Sequence, residues 1–236
     1  MPDDGTGKGA AMRYPQVCGG KFIARPNRFI ALVDVEGQET VCHVKNTGRC
    51  RELLTPGAKV ILARAANPSR KTAYDLVAVY KGAMLINMDS QAPNQVAAAY
   101  LPSLFPGITL LRPEYRVGDS RLDFYAETAA GRQIYMEVKG CTLEVDGVAM
   151  FPDAPTLRGT KHLRTLTALA RAGREAWVLL VVQMAGPKCF RPNDQMDPAF
   201  GQALREAAAA GVQIHCVDCL VTEDSLSCRA PVPVYL

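Results

Sequence analysis

Asp123, Glu137 and Lys139 are the residues whose types and spacing could do chemistry. They lie in SRLDFYAETAAGRQIYMEVK, Ser120 to Lys139. Two short alternating runs, Arg121 to Tyr125 and Gln133 to Lys139, flank a connection containing Gly131, the pattern of a β-hairpin. Side chains alternate faces along a strand. Ile134, Met136 and Val138 therefore share one face of the second run, and Tyr135, Glu137 and Lys139 share the other. A turn centred on Ala130 sets Asp123 directly opposite Glu137. Opposed residues have Cβ atoms about 4.5–5.5 Å apart, and like charges there repel. Two carboxylates so placed, with an ammonium two residues on, call for a cation. Against this, acids on the solvated face of a hairpin are common, and Glu-x-Lys alone carries little weight.

The rest of the chain must position these groups. Its 236 residues leave room for one large domain or two small ones, and 48% hydrophobic with 21% charged residues is ordinary globular composition. A net charge of +4 permits a nucleic-acid partner without requiring one. No apolar run approaches the roughly 20 residues that span a bilayer, so no membrane partner is expected. The start, MPDDGTG, is unlike a secretory signal, and a cytoplasmic location is expected. Eight scattered cysteines include one C-x-x-C pair, Cys216 and Cys219, with no second pair to complete a zinc site; most read as small, reduced core residues.

Residues 1–17 lack periodicity and read as a mobile tail. Residues 18–90 carry five expected short strands: Phe29 to Val35, Thr40 to Val44, Lys59 to Arg64, Tyr74 to Tyr80 and Ala83 to Asn87. That spacing predicts a five-stranded barrel of the oligonucleotide-binding (OB) type. Its cations, among them Arg28, Arg49, Arg51, Arg70 and Lys71, with Asn46, are candidate phosphate-gripping residues.

From residue 91 to 236 the expected order is a short helix (Gln95 to Leu101, ended by Pro102), three antiparallel-type strands, an amphipathic helix (Thr156 to Arg171), a buried strand (Glu175 to Gln183), a helix (Pro198 to Gly211) and a last core strand. This is an α/β sandwich with its polar cluster on the hairpin. The first long helix delivers Arg158 and His162 to the same side, with Lys161 pointing outward.

That order, with Asp123 and Glu137-Val138-Lys139, resembles the restriction-endonuclease-like core of PD-(D/E)xK nucleases. A closer resemblance covers nearly the whole chain from about Arg28. HVKNTGRCRELLTPG (His43 to Gly57), SRLDF (Ser120 to Phe124), MEVKGCTL (Met136 to Leu143) and FPDAPTLRGTKHLRTL (Phe151 to Leu166) are similar to the sugar fermentation stimulation protein (SfsA) family. Lys45 stands where a Pro is common, and Cys50 where an apolar residue is. The resemblance implies an OB-like amino-terminal barrel, a nuclease-like carboxy-terminal domain and a DNA partner.

It also implies roles. Asp123, Glu137 and the Val138 carbonyl would hold Mg²⁺ (or Mn²⁺), and Lys139 would assist the attacking water. Arg121, Arg158, Lys161 and His162 would bind neighbouring phosphates, with a satisfied core histidine the other reading of His162. Glu114 and Gln183 are accessory candidates. The expected function is Mg²⁺-dependent phosphodiester hydrolysis. The alternatives are a non-catalytic DNA-binding regulator of sugar-utilisation genes and, more remotely, a small-molecule enzyme. DNA against RNA, strandedness and a homodimeric state stay open.

Overall fold

A computed structural model describes residues 12–46, 48, 50–67 and 69–236. The expected phosphate ligand Arg49 and most of the expected tail lie outside the described residues. The tail does not extend to residue 17. Strand β1 (Met12–Arg13) pairs antiparallel with the last strand of the chain, Ser225–Pro231, and Tyr14 is buried.

The amino-terminal half is a barrel of β2 (Val17–Asn27), β3 (Ile30–Val35), β4 (Gln38–Val44), β5 (Lys59–Arg64) and β6 (Tyr74–Lys81). The strand order is β4-β3-β2-β5-β6, and a parallel pairing of Cys42 to Val44 with Tyr74 to Leu76 closes β4 onto β6. Glu36 (φ 53°) and Gly37 (φ 84°) both take positive φ between β3 and β4, as a twist-matched two-residue hairpin turn requires. β7 (Met84–Asn87), counted from sequence among the five, is a sixth strand laid on β6. The barrel's own first strand, β2, was hidden. It buries only Phe22 outright and breaks its register twice, so it shows no clean alternation.

The carboxy-terminal half opens with α1 (Ala92–Leu104) and a meander, β8 (Ile108–Val117), β9 (Ser120–Thr128) and β10 (Gln133–Cys141). There follow β11 (Leu143–Val145), β12 (Val148–Phe151), α2 (Leu157–Arg171), β13 (Glu175–Val182), β14 (Cys189–Pro192), α3 (Pro198–Ala209), β15 (Gln213–Val221) and β16 (Ser225–Pro231). The main sheet runs β1-β16-β15-β13-β10-β9-β8, with β10, β13 and β15 parallel. One face packs Ile134, Met136, Val138, Leu179 and Val181 against Val96, Leu101 and Phe105 of the α1 side. The other packs Val178, Leu180 and Val182 against Leu163 and Leu166 of α2 and Leu204 of α3. The fold is mixed α/β, an OB-like barrel followed by a restriction-endonuclease-like sandwich.

Pro102 does not end α1. It sits in the last turn, where it forgoes the bond an N–H would make to Ala98 O, and Phe105 N still closes that turn on Leu101 O at 2.8 Å. No helix of the described residues is long and apolar enough to cross a membrane. All eight cysteines are free, and all but Cys18 are buried.

The halves share one apolar cluster, in which Phe22, Val33, Val60 and Leu62 of the barrel join Leu163, Val178 and Leu180 of the sandwich. A buried polar seam runs beside it. The Gln183 amide donates to Asn87 Oδ1 (2.9 Å) and to Asp89 O (3.1 Å), and Asn87 Nδ2 donates to the Tyr14 hydroxyl (3.0 Å). Asp89, fully buried, accepts from Lys45 Nζ (3.1 Å), the Gln91 amide (2.9 Å) and the Tyr14 hydroxyl (3.3 Å).

Candidate active site

The β9–β10 turn sets the geometry. Gly131 takes φ 78°, Gly131 N donates to Thr128 O (2.9 Å), and the register runs from Gln133↔Glu127 to Met136↔Phe124. One step further, Glu137 comes across from Asp123. Main-chain pairing stops there, and the next donor, Val138 N, goes to Asp123 Oδ2 at 2.8 Å. Asn94, in the first turn of α1, donates its Nδ2 to Asp123 Oδ1 at 2.9 Å. The strands thus part where the two acids meet.

Glu137 is not on a solvated face. It is 2% exposed, roofed by α2, whose start is fixed by Thr156 accepting from Gly159 N at 3.0 Å. His162, one turn into that helix, donates from Nδ1 to Glu137 Oε1, which also accepts from Lys139 Nζ at 2.5 Å. Glu137 Oε2 is buried and has no hydrogen-bond partner. Burial pushes the Glu137 carboxyl up, but His162 and Lys139 outweigh it and hold the group below its ordinary range. Asp123 goes the other way. Burial first, then the Glu137 charge, raise it, with the Val138 amide, Asn94 and Lys139 in partial opposition.

The donor set fits a small, hard divalent ion. Mg²⁺ usually takes one or two carboxylates and keeps several waters. Asp123 and Glu137 would hold it, the orphaned Oε2 being the free oxygen such a ligand needs. Among the described residues no cluster of three or more His, Cys, Asp or Glu could hold a metal, so a soft or all-protein site is not present there.

Residues 91–225 match the family described as the sugar fermentation stimulation protein RE domain, and residues 23–88 match the SfsA N-terminal OB domain. The chain belongs to the sugar fermentation stimulation protein family. A sugar fermentation stimulation protein homolog of Clostridium beijerinckii is 49% identical over 227 residues, covering 95% of this chain and all of its own. One from Desulfitobacterium hafniense is 52% identical over 216 residues, 91% of this chain and 94% of the relative. The Pyrococcus furiosus SfsA structure in complex with Ca²⁺ superposes with a TM-score of 0.85 at 28% identity, over 95% of this chain and 98% of that one.

The structure of this SfsA-family chain sorts the other candidates. Glu114 is exposed at φ 54° and pairs with Arg121 at 3.4 Å, so its carboxylate is engaged beside the site and not in it. Gln183 is spent in the domain seam, its side chain lying against Gly140 beside Lys139. Arg70 forks onto Asp75 at 2.8 and 3.2 Å, and His43 and Lys45 reach the same carboxylate, whereas Lys71 is exposed. Asn46 accepts from Gly48 N and shapes its own loop. Arg121, Arg158 and Lys161 are exposed, with Lys161 Nζ on Asp119 O at 3.0 Å.

Sequence reasoning missed Asn94, Lys45 as a partner of Asp89, and the whole seam. For Asn94 a signal existed, a polar residue just after Pro93 at a helix start, but nothing local says which strand it meets.

Proposed function

We propose that this chain binds DNA and hydrolyses phosphodiester bonds with Mg²⁺ or Mn²⁺ as cofactor. One observation carries the reading: two opposed acids, one of them wholly buried with an oxygen left without a partner, beside a half-buried lysine. A divalent ion held there would neutralise charge gathering on a phosphate and acidify the attacking water. Asp123 and Glu137 are the ligands, with the Val138 main-chain oxygen as third. Lys139, paired with Glu137, meets the negative charge of the reacting phosphate. His162 fixes the orientation of Glu137. Arg121, Arg158 and Lys161 meet flanking phosphates, as do Arg28, Arg51 and Lys71 of the barrel.

The Ca²⁺ in the Pyrococcus furiosus relative supports a divalent ion here. The test is incubation with labelled single- and double-stranded DNA in Mg²⁺, Mn²⁺ or chelator, beside Asp123→Ala and Lys139→Ala. Cleavage by wild type with metal, and loss in both variants, is the expected outcome; equal cleavage by the variants would end the proposal.

A second reading has its own support. His162 and Lys139 already satisfy one Glu137 oxygen without any metal, as in a binding protein that regulates sugar-utilisation genes without turnover. It requires DNA binding that ignores chelator, and no cleavage. Residence in the cytoplasm and a homodimeric state complete the proposal; fractionation and sedimentation test them.

A further inference from the structure

A cleft of about 400 Å³ lies where the barrel meets the sandwich. Arg25, Asn27, Arg28, Gly48 and Arg51 line it from the barrel, and Ala154 from the β12–α2 connection. Among the described residues, its lining holds three arginines and no acid. Arg25 is the keystone. Its guanidinium donates to Gly48 O (2.7 Å), Arg28 O (2.7 Å) and Asn46 O (2.6 Å), binding the β2–β3 turn to the following loop while keeping a positive charge beneath both. Asp153 abuts Gly48, with burial raising its carboxyl and the Arg25 charge in partial opposition.

The lining residue Arg28 is followed in the chain by an aromatic ring. Phe29 is 50% exposed, unusual for a large apolar side chain, and the Arg28 guanidinium lies over it at 5.9 Å from the ring centre. The volume is that of a small-molecule site and suits one nucleotide unit, not a double helix. The opposite wall leads straight to the acids. From Ala154 the chain runs through Thr156 into α2 and on to His162, the residue touching Glu137. Two extended and six helical residues cover at most ~16 Å, a span of a few nucleotides.

We propose that this arginine-lined cleft is a subsite for single-stranded DNA, phosphate against Arg28 and Arg51 and base stacked on Phe29, feeding the strand toward Asp123 and Glu137. The direction of feed rests on the nuclease reading; the binding does not. Charge without hydrogen-bond readout of bases makes the subsite tolerant of sequence. Leu157, 91% exposed at the start of α2, falls between Ala154 and His162 in the chain and offers an apolar contact for the next base.

The experiment uses the full chain in chelator, so that no cleavage occurs, with fluorescence anisotropy of a labelled oligothymidylate and of a labelled duplex. Phe29→Ala weakens oligothymidylate binding about tenfold and leaves duplex binding unchanged; Phe29→Trp restores it. Arg51→Ala weakens the same binding and lowers its salt slope by about 0.7, the value for one lost single-strand phosphate contact. Equal losses for duplex and single strand, no loss in either variant, or Phe29→Trp failing to restore binding would overturn the assignment. Should wild type bind in this pattern yet never cleave in Mg²⁺ or Mn²⁺, the nuclease reading fails and the cleft stands.

Discussion

His162 Nδ1 and Glu137 Oε1 share a hydrogen bond between helix α2 and strand β10, with both side chains at most 5% exposed. The contact pins a helix to the acid it covers and leaves the other oxygen of that acid open. Partners of this kind, one bond removed from a metal, typically change affinity or activity by about 10–100-fold when lost. His162→Ala should weaken Mn²⁺ binding by that factor, measured by titration calorimetry, while Asp123 stays in place. Unchanged Mn²⁺ affinity would reduce His162 to a packing residue.

Under the proposed function, Asp123 would pull stability and activity in opposite directions. Its carboxyl is raised above the ordinary 3.8, chiefly by burial and by the Glu137 charge. A raised carboxyl means the folded state prefers the proton, so the ionised form carries a penalty that appears as pH rises and fades in acid. Asp123→Asn should therefore melt higher than wild type at pH 7 in chelator, and the gap should shrink as pH falls toward 4. Added Mn²⁺ should raise the wild-type melting temperature and leave that of the variant unmoved. A variant that melts lower in chelator contradicts the repulsion between the acids.

Gly140 leaves no room for a side chain. A Cβ there would stand 2.5 Å from Gln183 Oε1 and 2.5 Å from Pro93 Cγ, between the end of β13 and the start of α1. Overfilling a tight contact costs about 1–3 kcal/mol. Gly140→Ala should lower the urea midpoint accordingly and, by moving α1 and Asn94, slow cleavage as well. Wild-type values for both would show that the junction yields freely.

Lys81 at the end of β6 donates to Glu144 Oε2 and to Glu144 O, both at 2.6 Å, tying the barrel to β11. That bond holds the Glu144 carboxyl below its ordinary 4.5, with burial opposing and the Gly147 amide assisting. A depressed carboxyl contributes stability above its unfolded value and loses it as pH falls through the folded one. Glu144→Gln should melt about 3–8 °C below wild type at pH 7. The difference should narrow below pH 4.5 and vanish in stronger acid. A gap that persists there would assign the effect to packing.

The hairpin was legible because its partners are local. Once Gly131 marks the turn, counting outward brings Glu137 opposite Asp123, and alternation puts Met136 and Val138 in the core. The strands around Ile30–Val35, Lys59–Arg64 and Glu175–Val182 were equally plain, each being a compact run of branched and apolar residues. What escaped depends on distant partners. β14 and β16 are short or mixed in burial and owe their existence to Val148–Phe151 and to β15. Arg70 reads as a free cation until Asp75, five residues on, is brought round by the strand it begins. Gln183 was noticed, but its bonds go to Asn87 and Asp89, 96 and 94 residues earlier.

The seam of Tyr14, Asn87, Asp89 and Gln183 has a consequence for how a ligand arrives. With polar groups satisfied across it and apolar side chains from both halves interleaved alongside, the seam ties the two lobes together. The groove between them exists before anything enters it. Under the proposed function, a strand laid there would meet a surface already set and lose little to rearrangement of the protein.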